Sequence, residues 1–593
     1  MQFSCDFETT TNPDDCRVWA FGLTDIDNPD NFMYGNSIKG LMNYCELTEK
    51  TTLYFHNLKF DGEFILVWLF ENGFKYVEDR KKLTSRTFTA LISDTGLFYS
   101  LEICWFKRGN VNNTTKIYDS LKVLPMKVEE IAKSFDLPIR KLVIDYDKHR
   151  PVGYKLTEEE IDYLRNDCEI VGRALNLLHS QGLKQITQGS NALHDYKKIV
   201  GKDNFNRWFP IPDYDYDIRK SYKGGFTYLN PKYKGKDVGK GIVLDVNSLY
   251  PSVMYYKPLP YGRGKKFEGK YQKDDLYNLY TQTLVCNFEL KEGYLPTIQL
   301  KNHSSFCPTE YLESSEGEDI TLTLTNVDLE LFFEHYNVYN VEYLGGWKFK
   351  STTGLFKDYI DKWVEVKNKA TVEGNKGLRQ LAKLMLNSLY GKFALNPKVR
   401  SKIPVYTDGK IKYALGKQET RNPIYIPVGT FITSWARYIT ISSAQKVYPH
   451  FIYADTDSLH LDLVLPDELF YMNEKDFNNL TSLDLEKYHI KELENLKIHP
   501  TELGLWKLEK KFIRARFLRQ KSYVEESIAS NTFVMGDLYG STNFDITCAG
   551  MPSNCYQYVT WNNFKTGSNF EGKLKPSHVK GGIVLEKTPF SIR

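Results

Sequence analysis

The segment FIYADTDSLHLDL (451–463) carries two aspartates, Asp455 and Asp457, two positions apart in an apolar stretch that is rich in β-forming residues. Each charge raises the cost of the other in such a setting. A turn is one interpretation, because Asp and Ser are common turn residues. A divalent metal ion is another, because its charge turns the repulsion between two carboxylates into attraction. Other motifs in the chain are needed to distinguish these two interpretations.

The length of 593 residues is too great for one hydrophobic core, so several domains or subdomains are expected. Lysine and arginine number 78 against 74 acidic residues, a net charge of +4 that neither demands nor excludes a nucleic-acid partner. The aromatic content is high, with 41 Tyr and 35 Phe, which suits either base stacking or an ordinary core.

The nine cysteines are scattered without a C-x-x-C pair, which argues against a zinc module or a disulfide framework and for a reducing cytosol. The sequence has no apolar run of about 18 residues, so no transmembrane helix is predicted. The strand-like opening QFSCDFETT leaves no room for a signal peptide. We therefore expect an intracellular protein with no membrane partner.

Two composition shifts divide the chain. The stretch TQGSNALHDYKKIVGKDNFNRWFPIPDYDYD, around 187–215, is typical of a domain boundary. The stretch KVRSKIPVYTDGKIKYALGKQETRN (398–422) is basic, and its Asp408-Gly409 pair between alternating residues predicts a type I′ hairpin. Such a basic hairpin either contacts backbone phosphates or is an ordinary solvated hairpin.

Two helices can be predicted. Thr157 followed by Glu160 forms a capping box that begins the first, in TEEEIDYLRNDCEIVGRALNLL. The second lies in 376–393, where Leu378, Leu381, Met385 and Leu389 form one face and Arg379, Lys383 and Asn387 form another.

A first set of acids lies in the N-terminal third. Asp6 and Glu8 fall on one face of a strand, because side chains alternate with period two. Asp61 follows Asn57 in an aromatic setting, YFHNLKFDGEF, which we expect to be a loop.

Further along, Tyr163 and Asp167 are one turn apart on the first predicted helix. Four acids on a strand, a loop and a helix can converge on one two-metal site for phosphodiester cleavage. Each acid alone is as consistent with a surface or capping carboxylate. The order D-F-E-T, N-x-x-x-D and Y-x-x-x-D resembles the three motifs of proofreading 3′–5′ exonucleases of the DnaQ type, which implies an RNase H-like fold.

A second set of acids lies in the rest of the chain. The apolar run GIVLDVNSLYPSVMY predicts a strand ending at Asp245, a common position for catalytic groups in α/β sheets. Asp245 would join Asp455 and Asp457, and Lys383 between them suits nucleotide phosphates. The patterns D-x-x-S-L-Y-P, K-x-x-x-N-S-x-Y-G and Y-x-D-T-D-S, in this order, resemble motifs A, B and C of family B DNA polymerases.

The resemblance extends nearly end to end. The segments YFHNLKFDG, HRPVGY, YKGGFTYLN, DVNSLYP, QLAKLMLNSLYGKFA and FLRQKSY are similar to the protein-primed DNA polymerases of small tailed phages, the phi29 group. Cellular family B polymerases are longer and usually end in cysteine clusters. In the phi29 group an acid can stand two residues after the lysine that matches Lys141; this chain has Val143 there, and the role of Asp145 is left open.

That resemblance implies a role for each matching position. The acids of each set would bind two Mg²⁺ ions, with Mn²⁺ as a possible substitute. The exonuclease metals would be held by Asp6, Glu8, Asp61 and Asp167, assisted by Tyr163 and Lys141. The polymerase metals would be held by Asp245, the carbonyl of Val246, Asp455 and Asp457. The nucleotide would be bound by Tyr250 (the gate against a 2′-hydroxyl), Lys367, Lys383, Asn387 and Tyr390. DNA would be contacted by Tyr54, His56, Asn57, Phe60, Ser120, Leu121, Tyr222, Gly224, Gly225, Ser248, Lys521 and Tyr523.

The implied fold is α/β and multidomain, with an RNase H-like exonuclease and a right-hand polymerase. We expect an exonuclease at 1–188, palm at 189–256 and 423–535, fingers at 355–394, thumb at 536–593, and palm insertions at 257–354 and 395–422. The first insertion would contact the priming protein and the template, and the second would give processivity and strand displacement.

The implied partners are template and primer DNA, deoxynucleoside triphosphates and a terminal priming protein. We expect a monomer in the cytoplasm of an infected bacterial cell. Three alternatives remain: a nuclease with an inactive polymerase half, a non-catalytic single-strand-binding scaffold, and a reverse transcriptase, whose typical motif is Y-x-D-D.

Overall fold

The computed structural model describes residues 1–109, 111–301, 309–488, 490–528 and 542–593. The N-terminal part is a mixed sheet covered by helices. Its strands β1–β8 are Gln2–Thr9, Val18–Asp25, Phe32–Gly35, Thr51–Phe55, Lys75–Tyr76, Thr87–Ile92, Phe98–Arg108 and Val111–Asp119. Its helices α1–α4 are Ile38–Leu47, Leu58–Glu71, Val128–Ser134 and Glu158–Ser180.

The strand order in this sheet is β3-β2-β1-β4-β8-β7-β6-β5, and β4 runs parallel to both of its neighbours. The sequence FSCDFE alternates, so β1 buries Phe3, Cys5 and Phe7 on one side. Helix α4 packs on the other side and begins at the predicted capping box of Thr157 and Glu160. The first set of acids therefore lies between β1 and α4.

The stretch predicted as a domain boundary is largely helical, because helices α5–α7 are Gln188–Val200, Lys202–Trp208 and Asp215–Arg219. The carboxylate of Asp195 on α5 accepts hydrogen bonds from Lys362 Nζ at 2.7 Å and Trp363 Nε1 at 2.9 Å. This stretch therefore packs against the 357–372 helix that follows later in the chain. The chain continues with β9–β11, Thr227–Leu229, Asp237–Val238 and Gly241–Val246, and with α8, Leu249–Tyr256.

The first predicted insertion forms its own sheet, in the order β12-β17-β13-β16. Strands β12–β17 are Leu259–Glu268, Leu279–Leu290, Ile298–Lys301, Thr309–Leu312, Ile320–Thr325 and Tyr336–Thr352, and α9 is Asn326–His335. Residues 302–308 of this predicted insertion lie outside the described residues.

Next come the predicted fingers and the basic hairpin. Helices α10–α12 are Lys357–Val372, Lys376–Ser388 and Tyr390–Phe393, and strands β18–β21 are Lys398–Val399, Lys402–Thr407, Lys410–Leu415 and Glu419–Thr420. The predicted hairpin is present as β19 and β20, and Asp408 and Gly409 at its tip have φ of 54° and 78°, as a type I′ turn requires.

The sheet of the predicted palm, called the palm sheet below, has the order β26-β25-β24-β11-β23-β22-β9. Helices α13–α17 are Ile426–Lys446, Asp467–Tyr471, Glu474–Asn478, Ser482–Lys487 and Lys491–Leu496. Strands β22–β28 are Phe451–Asp455, Ser458–Leu461, Trp506–Arg519, Ser522–Ile528, Thr542–Cys548, Asn569–Val579 and Gly582–Ser591. Residues 529–535 of the predicted palm and 536–541 of the predicted thumb lie outside the described residues. Among the helices of the described ranges, none has the length and apolarity needed to cross a bilayer.

Candidate active sites

The first set of acids comes together on β1, α2 and α4. Asp6 and Glu8 lie on β1, and Asp167 faces them from α4, one turn after Tyr163. Asp61 lies in the first turn of α2, so the expectation that it lies on a loop is wrong. The apolar run that follows Asp61 is buried and continues as a helix, which the aromatic and glycine residues of the segment obscured.

Asn57 sets where this helix begins. It is the N-cap residue of α2 in the left-handed region, with φ of 80°, and its backbone N–H donates to Asp119 Oδ1 at 3.1 Å. Asp119 is buried and also forms an ion pair with Lys122 at 3.1 Å. The sequence interpretation missed Asp119, although it ends a strand just as Asp245 does.

The acids of this set destabilise one another's ionised form. Burial, reinforced by the neighbouring Asp167 charge, raises the pKa of Asp6 to about 7. Burial and the Asp6 charge also raise the pKa values of Glu8 and Asp61 well above the ordinary range. Four carboxylates held in this way gain most from a bound cation.

Lys141 supplies positive charge to this set. It forms an ion pair with Asp167, and its Nζ lies 3.3 Å from the Tyr163 hydroxyl. Although burial opposes it, the Asp167 carboxylate holds the pKa of Lys141 above its ordinary value. The Tyr163 hydroxyl lies 2.8 Å from that of Tyr146, a partner that no motif indicated.

Val143 is exposed, and the Asp145 side chain accepts a hydrogen bond from the backbone of Asp147 at 2.9 Å. Asp145 therefore stabilises a local turn, and no described contact joins it to the four acids.

The residues predicted to contact a single-stranded 3′ end differ in exposure. Asn57 is exposed, and His56, Phe60 and Leu121 are half-buried. Tyr54 and Ser120 are buried, so they support this surface from below. The Ser120 Oγ lies 3.0 Å from His56 Nδ1, which fixes the imidazole ring.

The second set of acids lies on β11 and β22, which flank β23 in the same sheet, and in the turn between β22 and β23. Asp245 on β11 and Asp455 at the end of β22 both have Ser458 on β23 as their register partner. Thr456 has φ of 65°, and the Asp457 carbonyl accepts a hydrogen bond from Val246 N at 2.8 Å. The segment is thus a turn that also brings the carboxylates of Asp245, Asp455 and Asp457 near one another, and the metal interpretation of YADTDS stays a prediction.

Two lysines contact these carboxylates. Lys507 Nζ lies 3.2 Å from Asp245 Oδ1, and Lys521 Nζ lies 3.1 Å from Asp455 Oδ1. Burial, with the neighbouring Asp245 charge, raises the pKa of Asp457 to about 6. The role of Lys507 was not predicted, because no sequence motif links β24 to β11.

Two of the predicted nucleotide-binding residues, Lys383 and Tyr390, lie near Asp245 and Asp457. The rings of Tyr250 and Tyr390 stack with centroids 4.0 Å apart. Lys383 and Asn387 are exposed on α11. Burial and the nearby charges of Arg379, Lys507 and Lys383 lower the pKa of Lys367, so these four cations form one cluster. Arg379 is an additional member that the sequence interpretation left without a role.

The Y-x-G-G segment is held against the Asp-Thr-Asp turn. A Cβ atom on Gly225 would lie 2.8 Å from Thr456 Cγ2, so a side chain has no room there. The Gly224 carbonyl accepts a hydrogen bond from Arg437 at 2.8 Å, and Arg437 is buried in an ion pair with Asp328 at 2.7 Å. The half-buried Tyr222 packs against the hydrophobic core that contains Phe226 and Leu244.

Two further predicted DNA contacts lie near the palm acids. Ser248 is the left-handed N-cap residue of α8, with φ of 54°, directly after β11. The Tyr523 ring lies 5.3 Å from that of Tyr453, whose hydroxyl accepts a hydrogen bond from Lys521 N at 2.9 Å.

The chemistry of both acid sets fits a hard divalent cation, because the donors are carboxylate oxygens. In the described part of the chain, no three His, Cys, Asp or Glu side chains are drawn together as a finished metal cage. Instead, lysines contact an acid in each set, and the buried Asp167 Oδ1 has no hydrogen-bond partner among the described residues. Asp167 Oδ1 is therefore available for coordination.

Comparison with known proteins decides the family. The family "DNA polymerase type B, organellar and viral" matches residues 45–470. The DNA polymerase of Bacillus phage Nf is 47% identical over 600 residues, which cover 100% of this chain and 99% of the relative. This chain belongs to the type B DNA polymerases of organelles and viruses. The DNA polymerase of Bacillus phage phi29 is 46% identical over 600 residues, covering 100% of this chain and 99% of the relative.

Solved structures of the phi29 relative have the same fold as this chain. Phi29 DNA polymerase in an orthorhombic crystal form superposes with a TM-score of 0.90 at 44% identity, and the match covers 100% of both chains. Its complex with primer-template DNA gives a TM-score of 0.89 at 44% identity, again over 100% of both chains. The predicted phi29-like membership and the multidomain α/β fold are therefore confirmed. The chain is a DNA-directed DNA polymerase with 3′–5′ exonuclease activity.

Proposed function

We propose that this polymerase replicates a linear phage genome from a protein primer, displaces the non-template strand and proofreads its product. The observation that carries the proposal is the presence of two separate acid sets on one chain. One lies between β1 and α4, and the other lies on β11 and the β22–β23 turn beside four cations. Excision would take place at the first set and synthesis at the second.

In the polymerase site, Asp245, the Val246 carbonyl, Asp455 and Asp457 would hold two divalent ions, for which Mg²⁺ is our first choice and Mn²⁺ a substitute. When bound, such ions neutralise developing charge during transfer of the nucleotide to a 3′-hydroxyl. Lys367, Arg379 and Lys383 would bind the triphosphate, because they lie near Lys507, which contacts Asp245.

The stacked pair of Tyr250 and Tyr390 would form the wall beside the sugar. Its rigidity supports the proposed exclusion of a 2′-hydroxyl by Tyr250, and Asn387 would complete this side of the pocket. Ser248, Lys521 and Tyr523 would position the primer, since they lie next to the palm acids.

In the exonuclease site, Asp6, Glu8, Asp61 and Asp167 would hold the metals. Tyr163 and Lys141 would orient the attacking water, because their polar atoms meet 3.3 Å apart at Asp167. The 3′ end would pass over Asn57, Phe60 and Leu121, supported by Tyr54, His56 and Ser120. Tyr222, Gly224 and Gly225 would guide the strand between the two sites.

We assign the exonuclease to 1–188, the palm to 189–256 and 423–535, the fingers to 355–394 and the thumb to 536–593. The insertion at 257–354 would contact the priming protein and the template. The hairpin insertion at 395–422 would enclose DNA, and its contacts support this. Tyr413 on the hairpin reaches Glu63 at 2.7 Å, and Gly409 O accepts a hydrogen bond from Gly581 N at 3.2 Å.

Template and primer DNA, deoxynucleoside triphosphates and a terminal protein are the proposed partners of a monomeric enzyme. The DNA polymerases of Bacillus phage Nf and Streptococcus phage Cp-1 are 47% and 33% identical to this chain. These relatives support the proposed location, the cytoplasm of an infected bacterial cell.

The test uses purified protein, Mg²⁺ and a 5′-labelled primer on a longer template, with and without the four deoxynucleotides. We expect lengthening with nucleotides and shortening without them. Shortening alone would favour a nuclease with an inactive polymerase half. Bound but unchanged DNA would favour a single-strand-binding scaffold.

A further inference from the structure

A cavity of about 490 Å³ lies outside both active sites, between α6 and the insertion sheet. It is open on one side and is lined, besides Gly262, by three aromatic and three cationic side chains: Trp208, Tyr261, Tyr277, Arg207, Arg263 and Lys350. No acidic side chain is among the described residues that line it. The cavity is therefore built for an anion that also has a flat apolar part.

Positive charge is concentrated at one wall of this cavity. Three lysine Nζ atoms lie close to the centroid of the Tyr277 ring: those of Lys265 at 4.5 Å, Lys348 at 5.7 Å and Lys350 at 5.7 Å. Lys265 and Lys348 are directly opposed across β12 and β17, a pairing of like charges that costs stability. Within the described residues, Asp274 is the acid that pairs with this wall, through Lys348 at 2.7 Å.

The floor of the cavity is rigid. The Tyr425 hydroxyl donates to the Gly262 carbonyl at 2.7 Å, and Gly264 N donates to the Tyr214 hydroxyl at 2.8 Å. Tyr214 in turn stacks on Trp347 with centroids 4.3 Å apart. These contacts hold the 261–264 segment in place, so a ligand would meet a preformed site.

We propose that this cavity binds one unit of a single-stranded polynucleotide, with its phosphates on Arg263 and Lys350 and its base against Trp208 or Tyr261. The inference rests on the proposed function, which brings unpaired template and displaced strand to the enzyme. A duplex does not fit, because the base must leave its stack to reach the aromatic wall. Either single strand has the required chemistry, so the test separates them.

Photocrosslinking locates the site directly. Fork-shaped DNA carrying 5-iododeoxyuridine is bound in EDTA, with the label either in the single-stranded template or in the displaced strand, and the crosslinked peptides are mapped. We expect Trp208 or Tyr261 to be modified in one arm, which identifies the strand. Absence of both residues from the crosslinked peptides in both arms would overturn the proposal.

A charge comparison gives a second readout. Single-stranded oligothymidylate is titrated at several salt concentrations onto Arg263→Ala/Lys350→Ala and onto the control Lys266→Ala/Lys273→Ala. The control lysines are outside the cavity and pair with Glu268 and Asp275 at 3.3 and 4.0 Å. We expect about tenfold weaker binding for the cavity variant and a salt dependence lower by roughly 1.4 in log–log slope, since each phosphate contact contributes about 0.7. Equal affinities and slopes for the two variants would contradict the proposal.

An abasic oligonucleotide of the same length distinguishes a nucleotide site from a general anion site. We expect the wild-type protein to lose affinity for it, and the double variant Trp208→Leu/Tyr261→Leu to lose severalfold less. If the wild-type protein binds both alike, the cavity recognises phosphate or acidic protein segments instead. Primer extension by the same wild-type preparation is recorded in parallel: failure of extension with intact crosslinking contradicts the proposed function, whereas extension without crosslinking contradicts only this inference.

Discussion

The Tyr413 hydroxyl on strand β20 donates a hydrogen bond of 2.7 Å to Glu63 Oε1 on helix α2. His578 Nε2 on β27 lies 3.2 Å from the same oxygen, and Glu63 is only 3% exposed. Three parts of the chain that are far apart in sequence therefore meet at one buried carboxylate. This junction holds the basic hairpin against the N-terminal sheet and the C-terminal hairpin.

Removing the Tyr413 hydroxyl should reduce the local stability of the basic hairpin. Tyr413→Phe leaves a buried carboxylate oxygen with one partner fewer, at a cost of about 1–2 kcal/mol. Hydrogen exchange of the amides in 402–415 should accelerate about tenfold. Tyr406→Phe is the matched control, because its hydroxyl donates at 2.7 Å to the exposed Glu71 and a surface change costs less than about 0.5 kcal/mol. Equal acceleration in both variants would contradict the role of the junction.

The two acid sets should respond differently to pH. A protonated carboxylate does not bind a cation, and burial raises the pKa of Asp6 to about 7 but that of Asp457 only to about 6. Between pH 8 and pH 6.5, the Mg²⁺ concentration that half-saturates primer shortening should rise severalfold. The Mg²⁺ concentration that half-saturates primer extension should change by less than about twofold, because Asp457 remains mostly ionised. Parallel pH profiles for the two activities would contradict this assignment of the pKa values.

The cation cluster should act on the nucleotide and not on excision. If Lys383 binds the triphosphate as proposed, Lys383→Ala removes a charge-assisted contact to phosphate and should lower kcat/KM for nucleotide incorporation by about 10²-fold, or roughly 3 kcal/mol. Arg379→Ala should also lower kcat/KM for nucleotide incorporation, by about tenfold. Primer shortening without nucleotides should keep its rate in both variants. An unchanged kcat/KM in Lys383→Ala would remove this residue from the nucleotide site.

A buried ionic network stabilises the sheet beneath the Asp-Thr-Asp turn. Glu525 is fully buried and contacts His460 Nδ1 at 2.7 Å and Lys510 Nζ at 2.6 Å. Burial would raise the pKa of Glu525, but His460 and Lys510 outweigh it and hold that pKa below its ordinary value of 4.5. The network therefore stabilises the fold above pH 4.5 and loses this contribution as pH falls through the lowered pKa.

Glu525→Gln should lower local stability by about 3 kcal/mol at pH 7, measured by hydrogen exchange of the amides in β24 and β25. The neighbouring Glu526→Gln is the control, since Glu526 pairs with the half-exposed Arg514 at the surface. The difference between wild type and Glu525→Gln should shrink in acid. A constant difference across pH 3–7 would contradict the network.

The parts of the fold that were predictable are those specified by local pattern. Alternation placed Asp6 and Glu8 on one face of β1, the capping box began α4 at Thr157, and Asp408-Gly409 formed the hairpin tip. Each of these signals acts within a few residues of the chain, so no tertiary information is required.

The parts that were not predictable depend on distant packing. Asp61 lies on a helix because the apolar run after it is buried on several sides, which leaves no helical periodicity to detect. Lys507 reaches Asp245 only because β24 pairs with β11, and Arg437 reaches Gly224 from helix α13, more than 200 residues later in the chain. Strand pairing of this range has no local sequence signal.

The most direct test of two separate sites on one chain compares Asp455→Asn with Asp6→Asn on the same labelled primer-template. Each change removes one charge from one acid set while keeping the side-chain volume. We predict that Asp455→Asn abolishes extension and retains shortening, and that Asp6→Asn retains extension and abolishes shortening. Loss of both activities in either variant, with DNA binding intact, would contradict the separation of the two sites.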